Sequence, residues 1–237
     1  MSEILVKEKE IVVPGELLAK GMDNFPGPGA YRDGEEIYAS RLGIVYIDGR
    51  TIKIIPTSGV YLPKVGDVLI SKVVDIAFSG WRLDNNCPYS AMLSLKDATS
   101  DYIGRGADLT QYYEIGDYVV CKVTNVTSQK LVDVSMREPG LKKLNEGRIS
   151  KVNTNKVPRI IGKKGSMVSM IKNATGCRIV VGQNGLVWIQ GDVDNEFIAL
   201  EAINKIEAES HISGLTSRIK EFLEQKTGKK IEEVEAK

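Results

Sequence analysis

The stretch VPRIIGKKGSMVSMIKNATGC, residues 157–177, limits what this chain can fold into more than any other segment. Pro158 suits the first turn of a short helix, VPRII. After GKKG, the residues Met167, Val168, Met170, Ile171 and Ala174 recur at the i, i+3, i+4, i+7 spacing of one helical face. Ser166 is placed to cap that second helix, and Gly176 to end it. A strand, RISKV, precedes the pair. Two more follow, CRIVVG and GLVWIQG, joined by Gln183, Asn184 and Gly185. Asp192 or Asp194 opens a further helix with Val193, Phe197, Leu200, Ile203 and Ile206 along one stripe. The predicted order is β-α-α-β-β-α. A last amphipathic helix, with Leu215, Ile219, Phe222 and Leu223 inward, leads to a charged tail from Lys229 that is expected to fray.

The charge of this segment is unusual. The N-terminal end of a helix is positive and prefers acids. Here Lys163 and Lys164 stand at that place, each at a cost of a few tenths of a kcal/mol. From Lys142 to Lys172 there are nine basic residues against the single acid Glu146, a balance of +8. From Asp192 to the end there are 11 acids and 7 bases, so a net charge of +1 for the chain hides a basic segment centred on GKKG. A turn of the form GxxG removes side chains where another backbone must approach. The free N–H groups of the next helix face the same place. Together they suit a phosphodiester backbone, held without reading sequence.

The 237 residues are too many for one ordinary domain and fit two or three small ones. Hydrophobic residues make up 42%, enough for packed cores. The start reads as short strands between turns. EIVVPGELLAKG is strand-like and broken at Pro14-Gly15, NFPGPGAY is a loop by composition, and Asp48–Arg50 signals a hairpin. An internal echo follows. KVGDVLISKV (64–73) matches EIGDYVVCKV (114–123) in pattern, and GWRLDN (80–85) and YSAMLSL (89–95) lie between them. With KLVDVSMRE (130–138) these make five strands in about 75 residues, with one longer connection at 96–113. That suits a small closed barrel of the OB type, in which closure hides the strand edges.

Signals for catalysis are poor. His211 is the single histidine, so His-based metal sites and triads lack parts. GKKGS lacks the upstream glycine of a phosphate-binding loop, TGKK lacks its Ser or Thr, and aspartates are scattered. No catalytic residue, metal or cofactor is expected. Cys87, Cys121 and Cys177 are odd in number and widely spaced, which argues against a disulfide framework and for a reducing, cytoplasmic setting. The opening MSEILVKEKEIVV is not a secretory signal, and no apolar run approaches membrane-spanning length.

The segment around GKKG resembles a KH domain, the single-stranded nucleic-acid module whose GXXG loop clamps backbone nucleotides. The resemblance implies RNA contact through Arg159, Ile161, Gly162, Lys163, Lys164, Gly165 and Ser166. The bases would lie against a wall from Ile160 or Ile161, Met167, Ile171 and Ile179. The barrel segment resembles an S1 domain, an OB-fold RNA binder, in GDVLISKV, GWRLD, GDYVVCKV and VDVSMR. It departs from that pattern at Arg82, where many S1 domains carry an aromatic, and in having no histidine near Leu93. Arg82, Lys122 and Arg137 are expected to form an electrostatic track for a strand. Trp81 is expected in the core or as an interface anchor, while Tyr89, Tyr112 and Tyr113 are open.

The whole order resembles the RNA-binding cap subunits of the archaeal exosome, on VVPGELLAKG, GVYLPKVGD and KVPRIIGKKGSM. The fold implied is multidomain. It has an N-terminal β domain (1–62), an S1 five-stranded barrel (63–138), a type I-like KH domain (145–212) and an extra C-terminal helix with a charged tail (213–237). The family implies three copies on a hexameric ring of phosphorolytic RNase subunits, docked through the N-terminal domain. Such a cap recruits single-stranded, A-rich RNA, and the ring degrades it from the 3′ end. Polynucleotide phosphorylase also carries KH and S1 domains, but in the opposite order and after two catalytic domains that this chain lacks. A free-standing RNA-binding or translation-associated protein is the other reading, against which the N-terminal domain argues for a dedicated partner.

Overall fold

The structure is a computed structural model and describes residues 3–57, 59–101, 103–104, 106–210, 212 and 214–228. The chain divides into two compact units, Met1–Gly59 and Val60–Lys237. His211 and the tail from Lys229 lie outside the described residues.

The first unit is all β. Its strands are β1 (Glu3–Ile4), β2 (Ile11–Val12), β3 (Leu17–Lys20), β4 (Phe25–Pro26), β5 (Ala30–Asp33), β6 (Glu36–Ala39), β7 (Gly43–Asp48) and β8 (Thr51–Pro56). They form two four-stranded sheets, in the orders β1-β3-β6-β5 and β2-β7-β8-β4. Val12, Leu18, Ile37, Val45 and Ile52 alternate inward and are fully buried between them. Asp48 pairs with Thr51, so Gly49 and Arg50 make the two-residue turn that the sequence signals, with Gly49 at φ +60°. NFPGPGAY is more than a loop. Phe25 and Pro26 pair in parallel with Thr51 and Ile52, an edge position that proline tolerates.

The second unit holds a barrel and an α/β domain on one another. The barrel strands are β9 (Val68–Ala77), β10 (Gly80–Asp84), β11 (Ala91–Ser94), β12 (Tyr118–Val126) and β13 (Val132–Ser135), with a short helix α1 (Leu95–Ala98) after β11. The order β12-β9-β10-β11-β13 closes because β13 also pairs with β12. The two echoed segments become neighbours, Val68 opposite Lys122 and Lys72 opposite Tyr118. Leu69, Val73, Trp81, Leu83, Leu93, Val119 and Val134 fill the interior. Trp81 is fully buried. Its Nε1 donates to the Tyr113 carbonyl at 3.1 Å, and the two rings meet edge to face. A strand β14 (Lys143–Leu144), which the sequence does not announce, extends the barrel beside β12.

The chain then enters β15 (Arg148–Lys151), α2 (Val157–Ile161), α3 (Ser166–Thr175), β16 (Arg178–Val181), β17 (Leu186–Gln190), α4 (Val193–Glu209) and α5 (Leu215–Thr227). The sheet order is β15-β17-β16, all antiparallel. Val187 and Ile189 of β17 face the helices, where Ile160, Ile171, Ile203 and Ile219 are fully buried. Each such side chain contributes about 1.5–3 kcal/mol relative to exposure. Leu186 and Trp188 point the other way, onto Ile70, Val120 and Leu144 of the barrel. The α5 core residues Leu215, Ile219 and Leu223 share the cluster of α3 and α4, so this helix is part of the domain it follows. The expected stripe of α4 is corrected at its start. Val193 and Phe197 are exposed, and Ala199, Ala202, Ile203 and Ile206 face inward. Small alanines let the helix lie close to the sheet, while Phe197 is held outside under the Arg148 guanidinium, 4.5 Å from its ring centre.

Candidate nucleic-acid interface

The GKKG turn is built by backbone conformations that side chains resist. Helix α2 ends at Gly162, whose N–H donates to the Pro158 carbonyl at 3.0 Å with φ +75°. Lys164 lies at φ 52° and Gly165 at φ +81°. A Cβ on Gly162 would stand 2.7 Å from both the Met167 nitrogen and its Cβ, whereas one on Gly165 would meet nothing within 4 Å. Gly162 is therefore needed for close packing, and Gly165 leaves an open stretch of backbone at the surface.

Ser166 corrects one expectation. It is the first residue of α3, not its cap. Gly165 takes the cap position, with no side-chain hydrogen bond there and no acid in the first turn. The helix start keeps its positive end toward the turn, where Lys163 and Lys164 are exposed. Arg159 is exposed one turn back. A helix start of this kind, without a cap and with cations beside it, is an arrangement that anions favour in general.

The expected apolar wall is mostly core. Ile160, Met167, Ile171 and Ile179 are 0–6% exposed, because the stripe that faces the sheet cannot also face outward. Ile161 is half-buried and keeps surface, as do Val168 and Val181.

On the barrel, the three expected cations are not equivalent. Arg82 is ion-paired with Asp75, its cross-strand neighbour. Lys122 contacts both carboxylate oxygens of Glu138, at 2.7 and 2.8 Å. Arg137 is exposed and, with Lys96, borders a cavity of about 360 Å³. Sequence spacing does not show these two carboxylate partners. It also passes over Phe78, which is 87% exposed at the tip of the β9–β10 hairpin, against an apolar cavity of about 300 Å³ with Ile76, Leu95 and Leu109. Its signal is a two-residue turn, Phe78-Ser79, carrying an aromatic where polar residues are usual.

A second missed residue is Asn184. It is fully buried at the β16–β17 turn, where its Nδ2 donates to the Ile70 carbonyl at 2.7 Å and to the Asn85 carbonyl at 2.8 Å. Gln183 N–H adds a bond to the Val68 carbonyl at 2.9 Å. This turn plugs the GKKG-bearing domain into the barrel wall. The signal was Asn between two glycines, Gly182 and Gly185.

Among the described residues no group of three or more His, Cys, Asp or Glu could hold a metal, and no helix is long and apolar enough to cross a membrane. Burial pushes the Cys121 thiol up to about 11, and raises those of Cys87 and Cys177, so none is an activated nucleophile.

Residues 147–205 match the family pattern of the KH domain, and residues 9–58 that of the exosome RNA binding protein RRP4 N-terminal domain. The chain is 44% identical over 227 residues to the exosome complex component Rrp4 of Thermococcus kodakarensis, covering 94% of this chain and 88% of that one. It is 43% identical over 221 residues to the exosome complex component Rrp4 of Methanothermus fervidus, covering 93% and 97%. A crystal structure of a protein provisionally described as exosome complex RNA-binding superposes with a TM-score of 0.64 at 33% identity, over 71% of this chain and 97% of that one. Similarity of this degree along nearly the full length of both partners places the chain in the family of exosome complex component Rrp4.

Proposed function

We propose that the chain is the RNA-binding, non-catalytic component of an exosome and holds single-stranded RNA for a partner to degrade. The observation that carries this is the GKKG turn, where two positive-φ glycines, two exposed lysines and an uncapped helix start adjoin one another, an arrangement suited to an anion. In this reading Arg159, Ile161, Gly162, Lys163, Lys164, Gly165 and Ser166 contact the sugar-phosphate backbone. Arg137, Arg82 and Lys122 extend the track over the barrel, and Phe78 offers a stacking surface. Arg82 and Lys122 contribute least, since each already faces a carboxylate.

The finer reading is a cap. Three copies, docked through the N-terminal β domain on a hexameric ring of phosphorolytic RNases in the cytoplasm, feed 3′ ends of A-rich RNA to it. Ile11, Phe25 and Ile55 are exposed and by register share the outer face of one sheet of the first unit, which supports an apolar docking face there. The test is fluorescence anisotropy of the pure chain with single-stranded RNA, together with an RNA integrity gel. Binding that weakens with salt and leaves the RNA intact is expected. Phosphate- or metal-dependent degradation by the pure chain would refute it.

A further inference from the structure

A cavity of about 310 Å³ lies between the barrel and the KH domain, lined by Tyr118, Leu144, Glu146, Gly147, Ile149 and Trp188. Neither module forms it alone. Its walls are held in place. Tyr118 pairs with Leu144 across β12 and β14, and Ile149 with Trp188 across β15 and β17. Trp188 Nε1 donates to the Glu146 carbonyl at 2.8 Å. Glu146 sits at φ 48°, and Gly147 backs so closely onto the sheet that a Cβ there would be 2.6 Å from the Ile189 carbonyl oxygen. The Asn184 turn fixes the two modules against each other.

The size is at the lower end for small-molecule pockets, enough for one planar ring. The interior is aromatic and aliphatic, with Glu146 in the lining and two lysines, Lys72 and Lys142, on the segments beside it. Lys72 Nζ lies 5.9 Å from the Tyr118 ring centre, and Lys142 is exposed two residues before Leu144 on the same segment, while Arg148 turns to the other face of its sheet, over Phe197 and beside Glu196. Lys143 is paired with Asp117 at 2.5 Å. Lys72 and Lys142 disfavour a basic side chain as occupant and favour a ring that carries phosphate. Glu146, the acid in the lining, is an acceptor suited to an exocyclic amino group.

We propose that this junction takes one nucleobase of an RNA strand running from the barrel to the KH domain. The base lies against Tyr118, and its phosphates face Lys72 and Lys142. The proposal rests on the RNA-binding reading above.

The experiment uses the full chain and a labelled single-stranded RNA of about twelve nucleotides, long enough to pass from one module to the other. Tyr118→Leu is expected to lower affinity about tenfold, the scale of one lost base–aromatic stack, and Tyr118→Phe to keep it. Ile149→Phe, which fills the cavity, is expected to lower affinity likewise. RNA carrying 5-iodouridine is expected to crosslink at Tyr118. Should Tyr118→Leu fail to fold, the crosslink and Ile149→Phe decide. The proposal is overturned if the wild-type chain binds RNA through Lys163 and Lys164 while the cavity variants bind equally well. It is also overturned if those variants lose complex subunits on purification but not RNA, since the occupant is then protein. If the wild-type chain binds no RNA at all, the RNA-binding reading itself fails.

Discussion

Gly162 and Gly165 look alike in the sequence and differ in the structure. Any side chain on Gly162 collides with the start of α3, so Gly162→Asp would disturb the fold as well as the site. Gly165 has open space, and its cost is the strain of a side chain at φ +81°. The lysines give a cleaner test, because Lys163 is exposed and Asp tolerates the left-handed conformation of Lys164. We predict that Lys163→Glu with Lys164→Asp leaves the melting temperature within a few degrees, lowers RNA affinity at least tenfold by anisotropy, and flattens its salt dependence. Unchanged affinity would remove the loop from the interface. Ile171→Ala tests the other role of the same helix. It is fully buried, and a loss of about 2–5 kcal/mol in denaturant unfolding is expected. The spacing of Met167, Met170 and Ile171 already indicated a buried stripe. It did not indicate that the stripe would leave only Ile161, Val168 and Val181 for a groove, since that depends on how close the sheet lies.

At the scale of elements, two attachments carry specific polar contacts. Helix α5 is tied to α4 at Glu209, which meets Lys205 and Arg218, both at 2.7 Å. The hydrogen bonds from Lys205 and then Arg218 hold the Glu209 carboxyl below its usual value of 4.5. A depressed carboxyl stabilises the folded state above its unfolded pKa, and that contribution disappears as pH falls through the folded pKa. Amide exchange in α5 is therefore expected to rise below about pH 4.5, and Glu209→Gln to make that step insensitive to pH. The second attachment is the β16–β17 turn. Asn184→Ala leaves the Ile70 and Asn85 carbonyls without their donor, and a loss of about 2 kcal/mol is expected in chemical unfolding. An undiminished midpoint would show that the turn is only a hairpin. The sequence shows Gln183, Asn184 and Gly185 as a hairpin joint. Nothing local shows that the turn enters a barrel more than 90 residues earlier in the chain.

For the molecule as a whole, the first unit has its own buried cluster, separate from those of the barrel and KH domain. Removing residues 1–59 is therefore expected to leave a folded chain that binds RNA as before but no longer co-purifies with the RNase subunits. Retained co-purification would place the docking elsewhere. The architecture was largely legible because its signals are local: 3.6-residue periodicity in α3 and α5, two-residue alternation in β7 and β8, and glycines where φ is positive. Local chemistry also determined the GKKG turn, since φ preference and helix-end charge act over a few residues. What only the tertiary structure decided was every effect of distant residues. These are the carboxylates facing Arg82 and Lys122, the exposure of Phe78, the burial of the presumed groove wall and the fit of Asn184 into the barrel. Those outcomes follow from which surfaces exclude water together, and a linear chain does not carry that until it has folded.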